Sequence, residues 1–302
     1  MIIIRLHGGL GNQMFQYQFG CLLQQMGYDV YMDSTEYDAI ECHNGFEVED
    51  IFQLSFPKAT RGDIIRLSNY IPIPFGGKIG KRLFKLSLKR EDKRNRLGYK
   101  GQTCIGDSII SDYSYDELRQ FCKDREIYFN GYWAEKHYSD WCTESLKFRE
   151  SYIENYRSYS EQIDSENGCS VHIRRGDYVG TALDVCDVTY YCQAMEWILK
   201  VNPDTIFYVF SNNENEAREL ISKTGLELDQ NKIQYINTMT EKSAGVDLWL
   251  MSLCHHNIIA NSTYSYWGAR LNMHTDKAVV VPSCYEKFAW DACHVIGVVK
   301  NQ

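Results

Sequence analysis

The chain has 302 residues, 44% of them hydrophobic and 24% charged, and a formal net charge of −8. These values fit a globular protein with room for two ordinary domains, and five prolines without a low-complexity tract exclude long disordered linkers. The acidic balance excludes nucleic acid as the default partner, because that binding rests on neutralising phosphates.

The opening IIIRL reads as a buried strand over residues 2–6, rich in β-branched side chains. Its apolar run is too short for a signal peptide, and no segment reaches the ~20 apolar residues that span a bilayer. Eleven cysteines, an odd count with no CxxC pair, read as reduced thiols. The expectation is a cytoplasmic protein. The turn HGGLGN follows, then a helix with apolar positions at Met14, Phe15, Phe19, Leu22, Leu23 and Met26, stopped at Gly27. A second strand over 29–33 completes a βαβ unit and predicts a parallel sheet.

Residues 40–140 show less pattern. Within them, 78–100 holds ten Lys/Arg against Glu91 and Asp92. This segment is a candidate for peripheral contact with an anionic membrane face, weighed against a solvated basic helix. A helix is expected over 143–160. Regular alternation then sets in, with strands expected at 169–174, 205–211, 232–237, 257–262 and 277–282. Helices are expected at 188–202, 213–225, 243–256 and 263–272. The chain therefore reads as α/β, with two Rossmann-like domains, 1–160 and 161–302, and a cleft between them. Ligands of open parallel sheets bind beyond the carboxyl ends of the strands. HGGLGN, RRGDY, FSNNEN and ANSTYSYW all fall at such ends.

Gly8, Gly9 and Gly11 allow a backbone to approach a ligand closely, at the start of a helix whose free N–H groups suit an anion. The spacing is neither GxGxxG nor a P-loop, and only Asp33 is placed to serve as a ribose-binding acid. The plain alternative is a tight strand-to-helix turn. In RRGDY, Arg174 and Arg175 end a strand. A guanidinium there calls for an anion, and phosphate is gripped bidentately. Asp177 is the candidate to orient one arginine, and a structural ion pair is the alternative. Ser262, Thr263, Tyr264 and Ser265 sit at a helix start, suited either to a phosphate or to plain N-capping. Asp247, in an otherwise apolar helical run, suits the N1/N2 edge of guanine or an exposed face. No Asp-x-Asp, HExxH or G-x-S-x-G occurs, so no metal centre or serine hydrolase is expected. Cys254, His255 and His256 are adjacent on a helix and point apart.

GGLGNQMFQY (8–17), VHIRRGDYV (171–179) and LMSLCHHNIIANSTYSYWGARLN (250–272) together resemble the motif blocks of the inverting, GDP-fucose-dependent α1,2-fucosyltransferases of bacterial type. That resemblance implies a GT-B-like fold and no metal or other cofactor beyond GDP-fucose as donor substrate. It implies transfer of L-fucose to a galactoside 2-hydroxyl of a glycan or lipid-linked oligosaccharide, at the inner membrane face. By motif position, Arg174 would contact the β-phosphate, with Arg175 and Asp177 supporting it. His172 and Asp247 would contact guanine, and Ser262 through Ser265 would cap the phosphates. Gly9, Gly11 and Asn12 would approach the fucose. No residue announces itself as general base; Asp177 lies close to its arginines and His7 precedes the glycines. Tyr113, Tyr115, Tyr132, Trp133, Tyr138 and Trp141 read as a sugar-stacking wall or as core. Two alternatives stand beside this reading: a non-catalytic nucleotide- or glycan-binding protein, and a transferase for another nucleotide sugar.

Overall fold

The computed structural model describes residues 1–39, 44–68, 78–80, 82–83, 85–86, 103–142, 146–165, 167–175, 180–181, 184–236, 243–288 and 293–297. It divides into two compact units, Met1–Lys147 and Phe148–Gln302. The break falls before the polar stretch 157–168 rather than after residue 160. Residues 148–165 form a short helix Glu150–Ile153, a 3₁₀ turn and a helix Arg157–Ser165, and these pack on the second unit.

The first unit is built on four parallel strands, β1 (Ile2–Arg5), β2 (Val30–Asp33), β3 (Cys104–Ile105) and β4 (Ile127–Phe129), in the order β2-β1-β4-β3. β1 is fully buried because its apolar run is covered on both faces. Helix α1 (Leu10–Gln25) follows β1 as the apolar spacing predicts, and Gly27 closes it at φ +93°. β3 and β4 fall in the stretch that showed no clear pattern. They are two and three residues long, too short for an alternation to register. The expected basic helix is helical at the described positions 78–80, 82–83 and 85–86, where Ile79, Leu83 and Leu86 are exposed. The rest of 78–100 lies outside the described residues.

The second unit carries six parallel strands: β5 (Gly168–Ile173), β6 (Ile206–Ser211), β7 (Ile233–Ile236), β8 (His256–Ile258), β9 (Val279–Pro282) and β10 (Cys293–Ile296). Their order is β10-β9-β8-β5-β6-β7. Helices α2 (Val188–Val201), α3 (Glu214–Lys223), α4 (Ser243–Leu253) and α5 (Thr263–Leu271) connect them near where the periodicity places them, except that α4 stops at Leu253, so Cys254 and His255 lie in a bend and His256 opens β8 rather than continuing the helix. β10 was not expected, since 277–282 read as the last strand; it is a half-exposed edge strand with a weak apolar signal.

Alternation along β5 sets up the chemistry. Cys169, Val171 and Ile173 enter a core with Tyr190, Tyr191 and Met195 of α2 and Ala217 and Leu220 of α3. The intervening Ser170 and His172 therefore lie on the opposite face. There the buried Asn257 donates to Ser170 Oγ (2.7 Å) and to the Met251 carbonyl (2.9 Å), and accepts from Asn272 Nδ2 (2.7 Å). This closed amide network ties β5 and β8 to α4 and to the end of α5.

Candidate functional site

In the second unit the strand order reverses between β5 and β8, the switch point where a doubly wound sheet opens a crevice at its carboxyl end. β5 delivers His172 and Arg174 there, and β8 leads into Asn261 and the N-terminus of α5. The adjacent arginines follow the alternation of the strand that delivers them. Arg175, on the parity of Ile173, reaches Asp184 (Nη1–Oδ1 2.9 Å) and Glu216 at the start of α3 (Nε–Oε2 3.3 Å). Its backbone N–H donates to Asn212 Oδ1 (2.9 Å), and its carbonyl accepts from Asn212 Nδ2 (3.0 Å). Arg175 thus clamps the loops after β5 and β6 and is committed within the fold. Its acidic partners are Asp184 and Glu216. Asp177, expected as the orienting acid, falls within 176–179, outside the described residues. The FSNNEN motif is absorbed by the same clamp, with Asn213 capping α3.

Arg174 shares the parity of His172 and is half-buried. His172 is buried, and its carbonyl accepts from Tyr191 (2.9 Å). Burial, reinforced by the charge of Arg174, lowers its pKa from 6.5 to about 3, so the ring is neutral. Its Nδ1 is buried with no hydrogen-bond partner among the described residues. Such an orphan is costly in a finished core and is what a polar ligand satisfies. The Tyr264 ring lies 5.5 Å from the imidazole, centroid to centroid, and the Tyr264 hydroxyl donates to the Ala244 carbonyl (2.5 Å). That bond joins the N-termini of α4 and α5; Asp247, half-buried, lies one turn on from Ala244 along α4.

The hydroxyls at the start of α5 are less available than their sequence suggests. Ser262 is the N-cap, accepting from the Tyr264 N–H (3.3 Å). Ser265 is buried and bonds the Ala260 backbone, accepting its N–H (3.2 Å). Both shape the loop; Thr263 between them is half-buried.

The first unit has its own switch point, between β1 and β4. Gly8 is the constrained glycine: its φ is +84°, and a Cβ would stand 2.5 Å from Asn12 Nδ2. Its carbonyl accepts from Tyr37 (2.7 Å) and Gln13 Nε2 (3.2 Å). Gly9 is the N-cap of α1 in an ordinary extended conformation, and Gly11 lies buried in the first turn, beside Asn12. Asp33 is not available for a ribose, because it accepts from Thr35 Oγ1 (2.6 Å) and Tyr128 (2.7 Å). His7 is half-buried, and desolvation first and Arg5 second depress its pKa to about 3. The expected aromatic wall splits: Trp133 and Tyr138 pack around Phe19 in the core, while Tyr132 is exposed.

Among the described residues, one group has the composition of a metal site: His255, His274 and Asp276. It lies at the amino end of β8, away from the switch point, and His255 and Asp276 already pair (3.1 Å). Cys254 and His256 are buried separately.

The neutral state of His172 has a measurable consequence. Its folded pKa lies below 6.5, so the stability it contributes is present above pH 6.5 and is lost as pH falls toward about 3. His172→Gln should flatten part of that decline in urea unfolding across this window. Identical pH slopes for parent and variant would show a solvated ring.

The glycosyl transferase family 11 model matches residues 107–290. The chain is similar to the O-antigen biosynthesis glycosyltransferase WbnK of Escherichia coli, with 28% identity over 92% of each chain. It also resembles the alpha-1,2-colitosyltransferase of that organism, with 27% identity over 94% of this chain and 91% of the other. Among solved structures it is similar to NodZ alpha-1,6-fucosyltransferase co-crystallized with GDP (TM-score 0.54, 14% identity, 89% and 92% coverage), a likeness of fold that makes the architecture GT-B-like. With the motif blocks, two Rossmann-like sheets and a polar cluster at a switch point in place, the chain belongs to glycosyl transferase family 11 and is a glycosyltransferase.

Proposed function

We propose that this glycosyltransferase moves L-fucose from GDP-β-L-fucose to the 2-hydroxyl of a galactoside, with inversion, giving an α1,2 linkage. The observation that carries the reading is the buried, neutral His172 imidazole beside Arg174 at the switch point of the second sheet, its Nδ1 without a hydrogen-bond partner among the described residues. A neutral imidazole bonds a purine edge without competing for the diphosphate. Asp247 offers a carboxylate for the N1–H and N2–H groups of guanine, a recognition that a uracil base cannot supply.

In this reading the acceptor hydroxyl oxygen attacks the anomeric carbon as the bond to the β-phosphate oxygen breaks; GDP departs with the bonding pair and the hydroxyl proton is released to solvent. Arg174 and the N-terminal turn of α5 meet the charge that develops on the diphosphate. The chain has no Asp-x-Asp for a divalent ion, and its described metal-type cluster lies at the wrong end of the sheet, so we assign that neutralisation to Arg174 without a metal. The first unit would present the acceptor. The exposed Ile79, Leu83 and Leu86 beside Lys78, Arg82 and Lys85 suit a membrane-bound acceptor. A second donor reading, GDP-colitose, is favoured by the similarity to the colitosyltransferase.

Thermal unfolding with GDP and with UDP tests the base. GDP at ~100 times its dissociation constant should stabilise the protein by ~2.7 kcal/mol. UDP at the same concentration should do little; equal stabilisation by UDP sinks the assignment. GDP-fucose and GDP-colitose offered with lactose or Galβ1,3GlcNAc, with linkage analysis and in EDTA, decide donor, product and metal. Binding of GDP without product would mark a non-catalytic protein.

A further inference from the structure

The turn after β4 is built more firmly than a surface loop needs to be. Asp107 accepts from the backbone N–H groups of Tyr132 (2.9 Å) and Trp133 (2.8 Å). Gly131 leaves room for that carboxylate, since a Cβ there would lie 2.3 Å from Asp107 Oδ1. The Gly131 carbonyl accepts from Gln16 (3.1 Å) and lies 3.2 Å from His7 Nε2, which must then carry the proton. Arg5 donates to Asn130 Oδ1 (2.9 Å). Trp133 stands at φ +55°, a conformation unusual for a bulky residue, and its indole stacks on Phe19 (4.7 Å, 16°) in the core. Strain of this kind persists only where its surroundings over-determine it, and it clusters at ligand sites.

What this turn presents is Tyr132. Its ring lies on His7 (4.3 Å between centroids, 33°) and yet remains 43% exposed. Trp133, its neighbour, is the ring that fills the core. The position is the switch point of the first sheet, between the ends of β1 and β4, beside the glycine turn. The platform is uncharged: His7 is neutral, Arg5 is taken up by Glu36 (2.8 Å), and Asp107 is spent on the backbone. A neutral pyranose, whose C–H face stacks on an aromatic ring and whose hydroxyls reach polar groups around it, fits.

We infer that Tyr132, backed by His7 and fixed by the Asp107–Gly131 turn, is the stacking platform for the acceptor sugar. This rests on the transferase reading above and names the acceptor residue of the same reaction. Initial rates with GDP-fucose and lactose test it. Tyr132→Ala should raise the lactose KM about tenfold, the upper range for one aromatic contact, and leave the GDP-fucose KM unchanged. Tyr132→Phe should restore the parent value, and both variants should melt with the parent. An unchanged lactose KM, or a rise in the donor KM instead, overturns the inference. Saturation-transfer NMR of lactose with the GDP-loaded protein gives a second readout. Sugar C–H signals present in the parent and lost in Tyr132→Ala support the platform; signals absent from the parent, or retained in the variant, overturn it. Should the parent transfer nothing to any galactoside while this NMR pattern holds, the transferase reading fails and the platform stands.

Discussion

Arg174→Ala should lower kcat by roughly 100–1000-fold, the loss typical of one preorganised donor aimed at developing charge, while the melting curve stays with the parent. The reason is positional. Arg174 shares the parity of His172, on the face turned away from the core that Cys169, Val171 and Ile173 fill, at the one place in the sheet where the crevice opens. Arg174→Lys should recover only part of the rate, because an ammonium is a point charge and cannot grip two phosphate oxygens as a planar fork does. Single-turnover release of GDP measures the chemical step directly. Near-parent turnover in Arg174→Ala would remove the guanidinium from the mechanism. Arg175 behaves differently under the same substitution: losing its links to Asp184 and Glu216 loosens two loops, so a fall in stability should accompany any fall in rate.

Arg5→Leu should destabilise the first unit by about 3–5 kcal/mol, the cost of leaving one partner of a buried ion pair alone. Arg5 and Glu36 meet at 2.8 Å with side chains only 7% and 12% exposed. A domain is stable by only ~5–15 kcal/mol in total, so much of the margin would go. Burial already raises the Glu36 pKa above its ordinary 4.5, and Arg5 opposes that shift through its charge and hydrogen bond. Without Arg5 the folded state holds the Glu36 proton more tightly than the unfolded chain does. The variant should therefore keep its residual stability below pH 4.5 and lose it as pH rises through the elevated folded value. Urea unfolding at a series of pH values measures both effects; a loss under 1 kcal/mol would show the pair to be solvated. The variant would also remove the Arg5 bond to Asn130, one of several that hold the turn carrying Tyr132.

Strand ends announced most of the second site. HIRR and ANSTYSYW could be placed because β5, β8 and the helices after them carry clear two- and 3.6-residue patterns. What spacing did not reveal was division of labour. The motif resemblance gave Arg174 the phosphate and Arg175 a supporting role, but spacing did not show that the acids holding Arg175 are the distant Asp184 and Glu216. Ser262 and Ser265 suited a phosphate or plain N-capping as letters, and the structure shows Ser262 as the N-cap and Ser265 on the Ala260 backbone. In the first unit, Gly8 and Gln13 organise the glycine turn by contacts across 5–35 residues, and Asp107 reaches 24 residues forward to Gly131, separations that no periodic pattern encodes. β3 and β4 were invisible because two or three residues cannot show a period.

The arginine pair also limits how this protein can be re-engineered. A single residue inserted into β5 would exchange its two faces, sending Val171 and Ile173 toward the ligand and His172 and Arg174 into the apolar layer beneath α2. Changes in length near the donor are thus closed to this chain, whereas changes of side chain on α4 and α5 stay open. Altering which sugar nucleotide it accepts should proceed by substitution around Asp247 and Thr263, with the strand left untouched.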